Sequence, residues 1–171
     1  NLEQDYRYEN KGHYAIVVDN IVIKNQNYVF KYAVDFVEEN MRYNESTKEK
    51  YYTSTGATTK IYLNDNLVSS GGVSEALLIN VCVYGNYVIY SLGWEGPRYY
   101  IIIDSSSKKV MEFQALKFEY SDGILTVEEL KRNDISNCDD NELEKYTLDM
   151  YSDNLEKQNV TIEKYYSEGI C

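Results

Sequence analysis

Five residues in one short stretch, Tyr90, Trp94, Arg98, Tyr99 and Tyr100, are of the types that hold flat partners. Tyrosine, tryptophan and arginine each bring a broad face and a polar tip, and they dominate binding hot spots. They surround a loop that carries Gly93, Gly96 and the single proline of the chain, Pro97. Two readings follow. Either the rings form a platform for a protein or a sugar, or Trp94 folds back over the end of a sheet and plugs the core.

Chemistry beyond binding has few carriers. His13 is the only histidine, so a Ser-His-Asp or Cys-His pair would have to use it. It lies beside Gly12 at the head of an apolar run, which is a structural setting, and no catalytic residue is assigned. Zinc sites need Cys or His at close spacing, and neither Cys-x-x-Cys nor His-x-x-x-His occurs. The acidic run Asp139-Asp140-Asn141-Glu142 lacks the alternating ligands and turn glycine of a calcium loop, so it reads as a solvated loop. Gly71-Gly72 and the Gly93/Gly96 pair match neither phosphate-loop spacing. No metal and no cofactor are therefore expected. With 28 acidic residues, a carboxylate pair for glycoside cleavage has many candidates and no marked one.

Net charge is −11. A surface of that sign repels phosphate backbones and anionic headgroups, which are bound through Lys/Arg clusters. The longest basic runs are Lys108-Lys109 and Lys131-Arg132. No nucleic-acid partner is expected, and no apolar run approaches the roughly 18 residues of a membrane span. Basic proteins, cations and neutral glycans stay open as partners.

The elements that must position these residues are strands. The chain holds 19 tyrosines against 4 phenylalanines and 1 tryptophan. Tyrosine and β-branched residues suit a pleated, half-buried surface. An AT-rich genome would raise Tyr, Asn, Ile and Lys together and is the neutral explanation of the same bias. Short runs of period two lie between Gly, Asn and Asp corners. Asp19-Asn20 is expected to turn the chain between runs 13–18 and 21–23. Over 28–37, Tyr28, Phe30, Tyr32, Val34 and Phe36 share one side of a strand. Phe30, Val34, Val37 and Met41 would share a helix face, but the aromatic and β-branched content favours the strand. Residues 38–50 read as a loop and 69–72 as a mobile connection. The clearest signals are a strand over 75–84, the turn Gly85-Asn86, strands over 87–90 and 98–104, and the Asp122-Gly123 hairpin. Residues 141–158 read either as a helix carrying Leu143, Thr147, Met150 and Leu155 or as a strand over 146–151. Residues 160–166 alternate as a strand.

The run from Ile101 through Asp104, Ser105-Ser106-Ser107 and Lys108 to Val110 resembles the hairpins of β-propeller blades. There too an apolar strand ending in Asp meets its neighbour through a small polar turn with a Lys. The resemblance covers about 30 residues, and a full propeller would hold about four blades. The turn pairs at 19–20, 65–66, 85–86 and 122–123 lack the fixed period that a propeller needs.

The expected fold is all-β: a single antiparallel meander of roughly nine to twelve short strands in a sandwich, barrel or propeller-like sheet, with little helix. A flexible segment over 1–11 is expected to precede one domain over 12–171. Cys82 sits in an apolar run and reads as a small buried hydrophobe. Cys138 and Cys171 either stay apart or pair, closing a loop of about 30 residues worth roughly 3 kcal/mol. A chain opening on Asn1 with no basic-then-apolar segment is read as one whose leader was removed or lies upstream of Asn1. That reading places it outside the cytoplasm, secreted or as the soluble part of a bacterial surface lipoprotein. The expected function is a non-enzymatic interaction module for a protein or glycan partner. The alternative is a carboxylate-dependent hydrolase acting on glycans.

Overall fold

The computed structural model describes residues 4–5, 9–11, 14–37, 39, 41–52, 57–73, 78–92, 98–132 and 141–165. The first long hairpin joins β3 (Tyr14–Ile23) to β4 (Gln26–Asp35) through ten paired residues. Its corner is Lys24-Asn25, with φ of 50° and 60°, a geometry whose twist matches the flanking strands. Asp19-Asn20 is not the corner: the two residues lie inside β3, opposite Phe30 and Val29. Val17, Ile21 and Ile23 keep a two-residue period on the buried face, and a turn at 19–20 would break that phase.

β4 pairs next with β7 (Ala57–Leu63), and β7 with β8 (Asn66–Val73) around the corner Asn64-Asp65. With β2 (Glu9–Lys11) beside β3, a five-stranded sheet forms in the order β2-β3-β4-β7-β8. The stretch 69–72 is thus strand and not a loose connection. Within 38–50 the chain makes part of a small separate hairpin, β5 (Met41–Asn44) with β6 (Glu49–Tyr52). Every side chain of β5 is exposed, so no buried stripe marks the strand in the sequence.

The second sheet has eight strands, each antiparallel to its neighbours. They are β1 (Gln4–Asp5), β9 (Leu78–Tyr84), β10 (Tyr87–Leu92), β11 (Arg98–Ile103), β12 (Lys109–Ser121), β13 (Ile124–Arg132), β14 (Asn141–Asp149) and β15 (Gln158–Tyr165). From β9 onward the sheet curls into a half-barrel. The segment 141–149, ambiguous between helix and strand, is strand. Within the 1–11 stretch, β1 pairs with β9 and β2 with β3. The fold is all-β and antiparallel, as composition and period imply.

β9, β10 and β11 explain the longest apolar runs. Val81, Val88, Tyr90, Ile101 and Ile103 pack on one face against Ile23, Phe30, Tyr32 and Leu63 of the five-stranded sheet. Cys82, Tyr84, Ile89, Tyr100 and Ile102 turn to the other face and pack with Leu125, Val127, Tyr146 and Leu148 inside the curl. A strand that is dry on both sides loses its alternation and reads as a continuous apolar run. The β9–β10 corner is pressed onto the end of β14. A Cβ on Gly85, at φ 56°, would sit 2.3 Å from the Met150 carbonyl oxygen. Asn86 N donates to that oxygen at 2.8 Å, and the Tyr87 hydroxyl donates to Ser152 O at 2.7 Å.

Candidate functional site

The aromatic stretch of the second sheet is divided between its two faces. Tyr90 is fully buried between the sheets, its ring 5.8 Å from that of Phe30 and its hydroxyl 3.5 Å from Ser69 Oγ. Tyr100 points the opposite way, stacked on Phe113 at 5.5 Å and edge-on to Phe118 at 4.5 Å. Tyr99 shares the face of Tyr90 but is 38% exposed. Burial and a hydrogen bond to Glu112 push its phenol up to about 12, and Lys109 Nζ reaches the same carboxylate at 2.6 Å. Arg98 is paired by its backbone with Ala115. Trp94, His13, Cys138 and Cys171 lie outside the described residues.

The hollow of the curled sheet gathers a charged cluster that the sequence does not announce. Glu129 on β13 lies directly opposite Glu144 on β14, and like charges in that position repel. Lys157, ahead of β15, resolves the conflict. Its Nζ reaches Glu129 Oε2 at 3.1 Å, also bonds Glu144 Oε1, and lies 4.2 Å from the centre of the Tyr146 ring. Lys131 Nζ meets Glu129 Oε1 at 2.9 Å, and the Tyr146 hydroxyl donates to Glu129 Oε2 at 3.1 Å. Burial pushes the Glu129 carboxyl up, but the two ammonium groups outweigh it and hold the group below its ordinary value. Burial, and then the Glu129 charge, push the Tyr146 phenol upward. A glycosidase acid needs a raised carboxyl, and Glu129 moves the other way. Among the described residues, no buried side-chain polar atom lacks a partner.

Between the β11–β12 corner and the chain after β14 lies a groove of about 370 Å³, lined by Tyr87, Asp104, Lys108, Asp153 and Glu156 among others. Two of its carboxylates have partners within the fold. Asp104 Oδ1 accepts from Ser106 N, Ser106 Oγ and Lys108 N. Asp153 pairs with Lys24 at 3.4 Å.

The five-stranded sheet has one dry face and one open face. The odd-numbered β3 residues Val17, Ile21 and Ile23 are buried, while the even-numbered Ile16, Val18 and Val22 are exposed. The cross-strand register sets Val18 opposite Lys31, Lys31 opposite Tyr62, and Tyr62 opposite Leu67. This row crosses four strands on the open face. Val18 is 58% exposed and Leu67 is 54% exposed. Lys31 Nζ lies 5.4 Å from the Tyr62 ring centre. Beside the row is a depression of about 310 Å³ lined by Ile16, Ala33, Asp35, Thr58, Lys60 and Tyr62. Val29, also exposed, extends the apolar strip. Among the described side chains of β3, β4 and β7, the face carries Lys31 and Lys60 with Asp35, in a chain of net charge −11.

The sequence signal for this face was present but ambiguous. The run Ala15-Ile16-Val17-Val18 looks like the runs of β9 to β11, and only the absence of a covering layer on one side distinguishes it. Comparison of the chain with known protein families, with curated proteins and with solved structures finds no match.

Proposed function

We propose that this chain is a non-enzymatic interaction module that acts outside the cytoplasm and that the open face of its five-stranded sheet is the surface it uses. The observation that carries this reading is the open-face row in which exposed Val18 and Leu67 bracket half-buried Lys31 and Tyr62, flanked by exposed Ile16 and Val29. Exposed apolar side chains scattered singly mean little, whereas a contiguous patch with a polar rim marks a contact site. Strands about 4.8 Å apart and residues about 3.3 Å apart give this patch dimensions of about 14 by 20 Å. That is the size of an interface centre, smaller than the roughly 800 Å² per partner of a standard complex. Its chemistry suits a protein with an apolar patch and an acidic or neutral rim, met by Lys31 and Lys60. The committed charges around Glu129 support binding over catalysis, because each serves the framework.

The test compares the wild type with the double variant Val18→Asp/Leu67→Asp, immobilised and screened against a glycan array and against proteins of the envelope and medium of the source cells. A protein is expected to bind the wild type, with at least tenfold weaker binding to the variant and an unchanged melting temperature. Binding that survives the two substitutions, or binding confined to glycans, would overturn the reading. Cell fractionation with an antiserum tests the location, and signal confined to the cytosol would refute it.

A further inference from the structure

β15 is the last strand of its sheet and, among the described residues, pairs on one side only, with β14. A strand in that position presents a row of backbone N–H and C=O groups to any strand laid beside it. Natural edges are blunted by bulges, prolines or charge. β15 has a bulge near its start, where Asn159 takes φ 53° between the pairs Lys145↔Thr161 and Thr147↔Gln158. From 160 to 165 the strand contains no proline, glycine or further positive φ. Its side chains from Gln158 to Lys164 are all exposed, Val160 at 48% and Ile162 at 60%. Ile162 lies opposite Glu144 and so stands on the hollow side of the sheet. Val160, two residues earlier, shares that side.

We infer that β15 is a self-association strand, along which two copies of this chain meet antiparallel and continue one sheet into the other. This rests on different residues from the open sheet face and stands or falls separately. The order of residues in the strand is what selects a second copy as the occupant. A two-fold axis through Thr161 sets Val160 of each copy opposite Ile162 of the other, within the regular stretch that follows the bulge at Asn159. Four apolar side chains then gather on one face, and no like charges oppose each other there. Charge points the same way. A net charge of −11 resists contact between copies in general. The edge segment, however, holds Glu156, Lys157, Glu163 and Lys164 and is neutral. The pairing is closed, because each copy covers the other's free edge. A strand of eight residues is only about 26 Å long, so the contact falls below a standard interface and the dimer is weak, with a dissociation constant on the order of tens of micromolar.

Sedimentation equilibrium of the full chain from about 5 to 200 µM spans that range. The weight-average mass is expected to climb toward twice the monomer mass. The double variant Val160→Lys/Ile162→Lys sets lysines against lysines at exposed positions. It is expected to raise the dissociation constant at least tenfold while the melting temperature holds. The register is tested by cross-linking in a background with Cys138→Ser and Cys171→Ser. Opposed residues of antiparallel strands lie about 4.5 to 5.5 Å apart at Cα, within disulfide reach. On mild oxidation Thr161→Cys is expected to give a disulfide-linked dimer, whereas Glu163→Cys, two residues from the axis on each copy, is not. A wild type that stays monomeric across the range overturns the inference and leaves the edge to an extended segment of another protein. A dimer indifferent to the lysines, or equal cross-linking from both cysteines, overturns it as well.

Discussion

Replacing Lys157 with methionine keeps a stem of similar length and removes the ammonium that separates Glu129 from Glu144. The side chains of these carboxylates are only 8% and 14% exposed, and that of Lys157 is 30% exposed. Exposed ion pairs are worth about 0–1 kcal/mol, and removing one partner of a buried pair costs about 3–5 kcal/mol. Lys157→Met falls between these limits, because Glu129 keeps Lys131 and the Tyr146 hydroxyl while Glu144 loses its ammonium partner. The expected loss is about 2 kcal/mol at pH 7, or about 4–8 °C in melting temperature for a domain of this size. The pH dependence follows from the two shifts. Glu129 is held below its ordinary 4.5, so its contribution is complete above that value and fades as acid protonates the folded carboxylate. For Lys157, burial pulls the ammonium down, but hydrogen bonds to Glu144 and Glu129 outweigh it and raise the group above 10.5. Its contribution is therefore complete below 10.5 and fades at higher pH. The gap between wild type and variant should be flat across neutral pH, shrink in acid below 4.5 and shrink again in alkali above 10.5. Urea denaturation at a series of pH values measures it. A gap that persists unchanged in strong acid, or one under about 0.5 kcal/mol at pH 7, refutes the reasoning.

Three further outcomes are expected. Gly85→Ala should cost about 3 kcal/mol or more, since its Cβ meets backbone 2.3 Å away. Gly123→Ala should cost at least about 1 kcal/mol less, because its Cβ meets only the exposed Tyr151 ring, which can swing aside; thermal melts rank the two. Asp104→Ala removes the acceptor that closes the β11–β12 corner, and a loss of about 1–2 kcal/mol is expected in the same melts. In a ring-resolved NMR titration, Tyr99 should ionise near 12 and fall only part of the way back in Glu112→Gln, because burial, the largest cause of its rise, remains, with Tyr146 still protonated when Tyr99 titrates.

Much of the fold is legible in the sequence because corners and burial leave local marks. Asp122-Gly123 and Gly85-Asn86 mark their hairpins through residues that tolerate positive φ. The double-sided burial of β9 to β11 shows as unbroken apolar runs. Asp19-Asn20 misleads because a good turn pair sits in a strand whose phase carries straight through it. β5 is invisible because its side chains are all exposed, and exposed strands have no period to read. The Glu129 cluster joins residues up to 28 positions apart through strand register, which single-sequence patterns do not encode. The open sheet face escapes for a different reason. An apolar second face looks the same in β3, where it meets water, as in β10, where it meets another layer.

Whether one face of the five-stranded sheet is open while β11 is dry on both sides can be read from methyl NMR with a soluble paramagnetic co-solute. The methyl groups of Ile16, Val18, Val22, Val29 and Leu67 should relax strongly, and those of Ile101 and Ile102, on opposite faces of β11, should both stay protected. Protected signals from Val18 and Leu67, or strong relaxation at Ile101 or Ile102, would contradict the arrangement and remove the proposed contact surface.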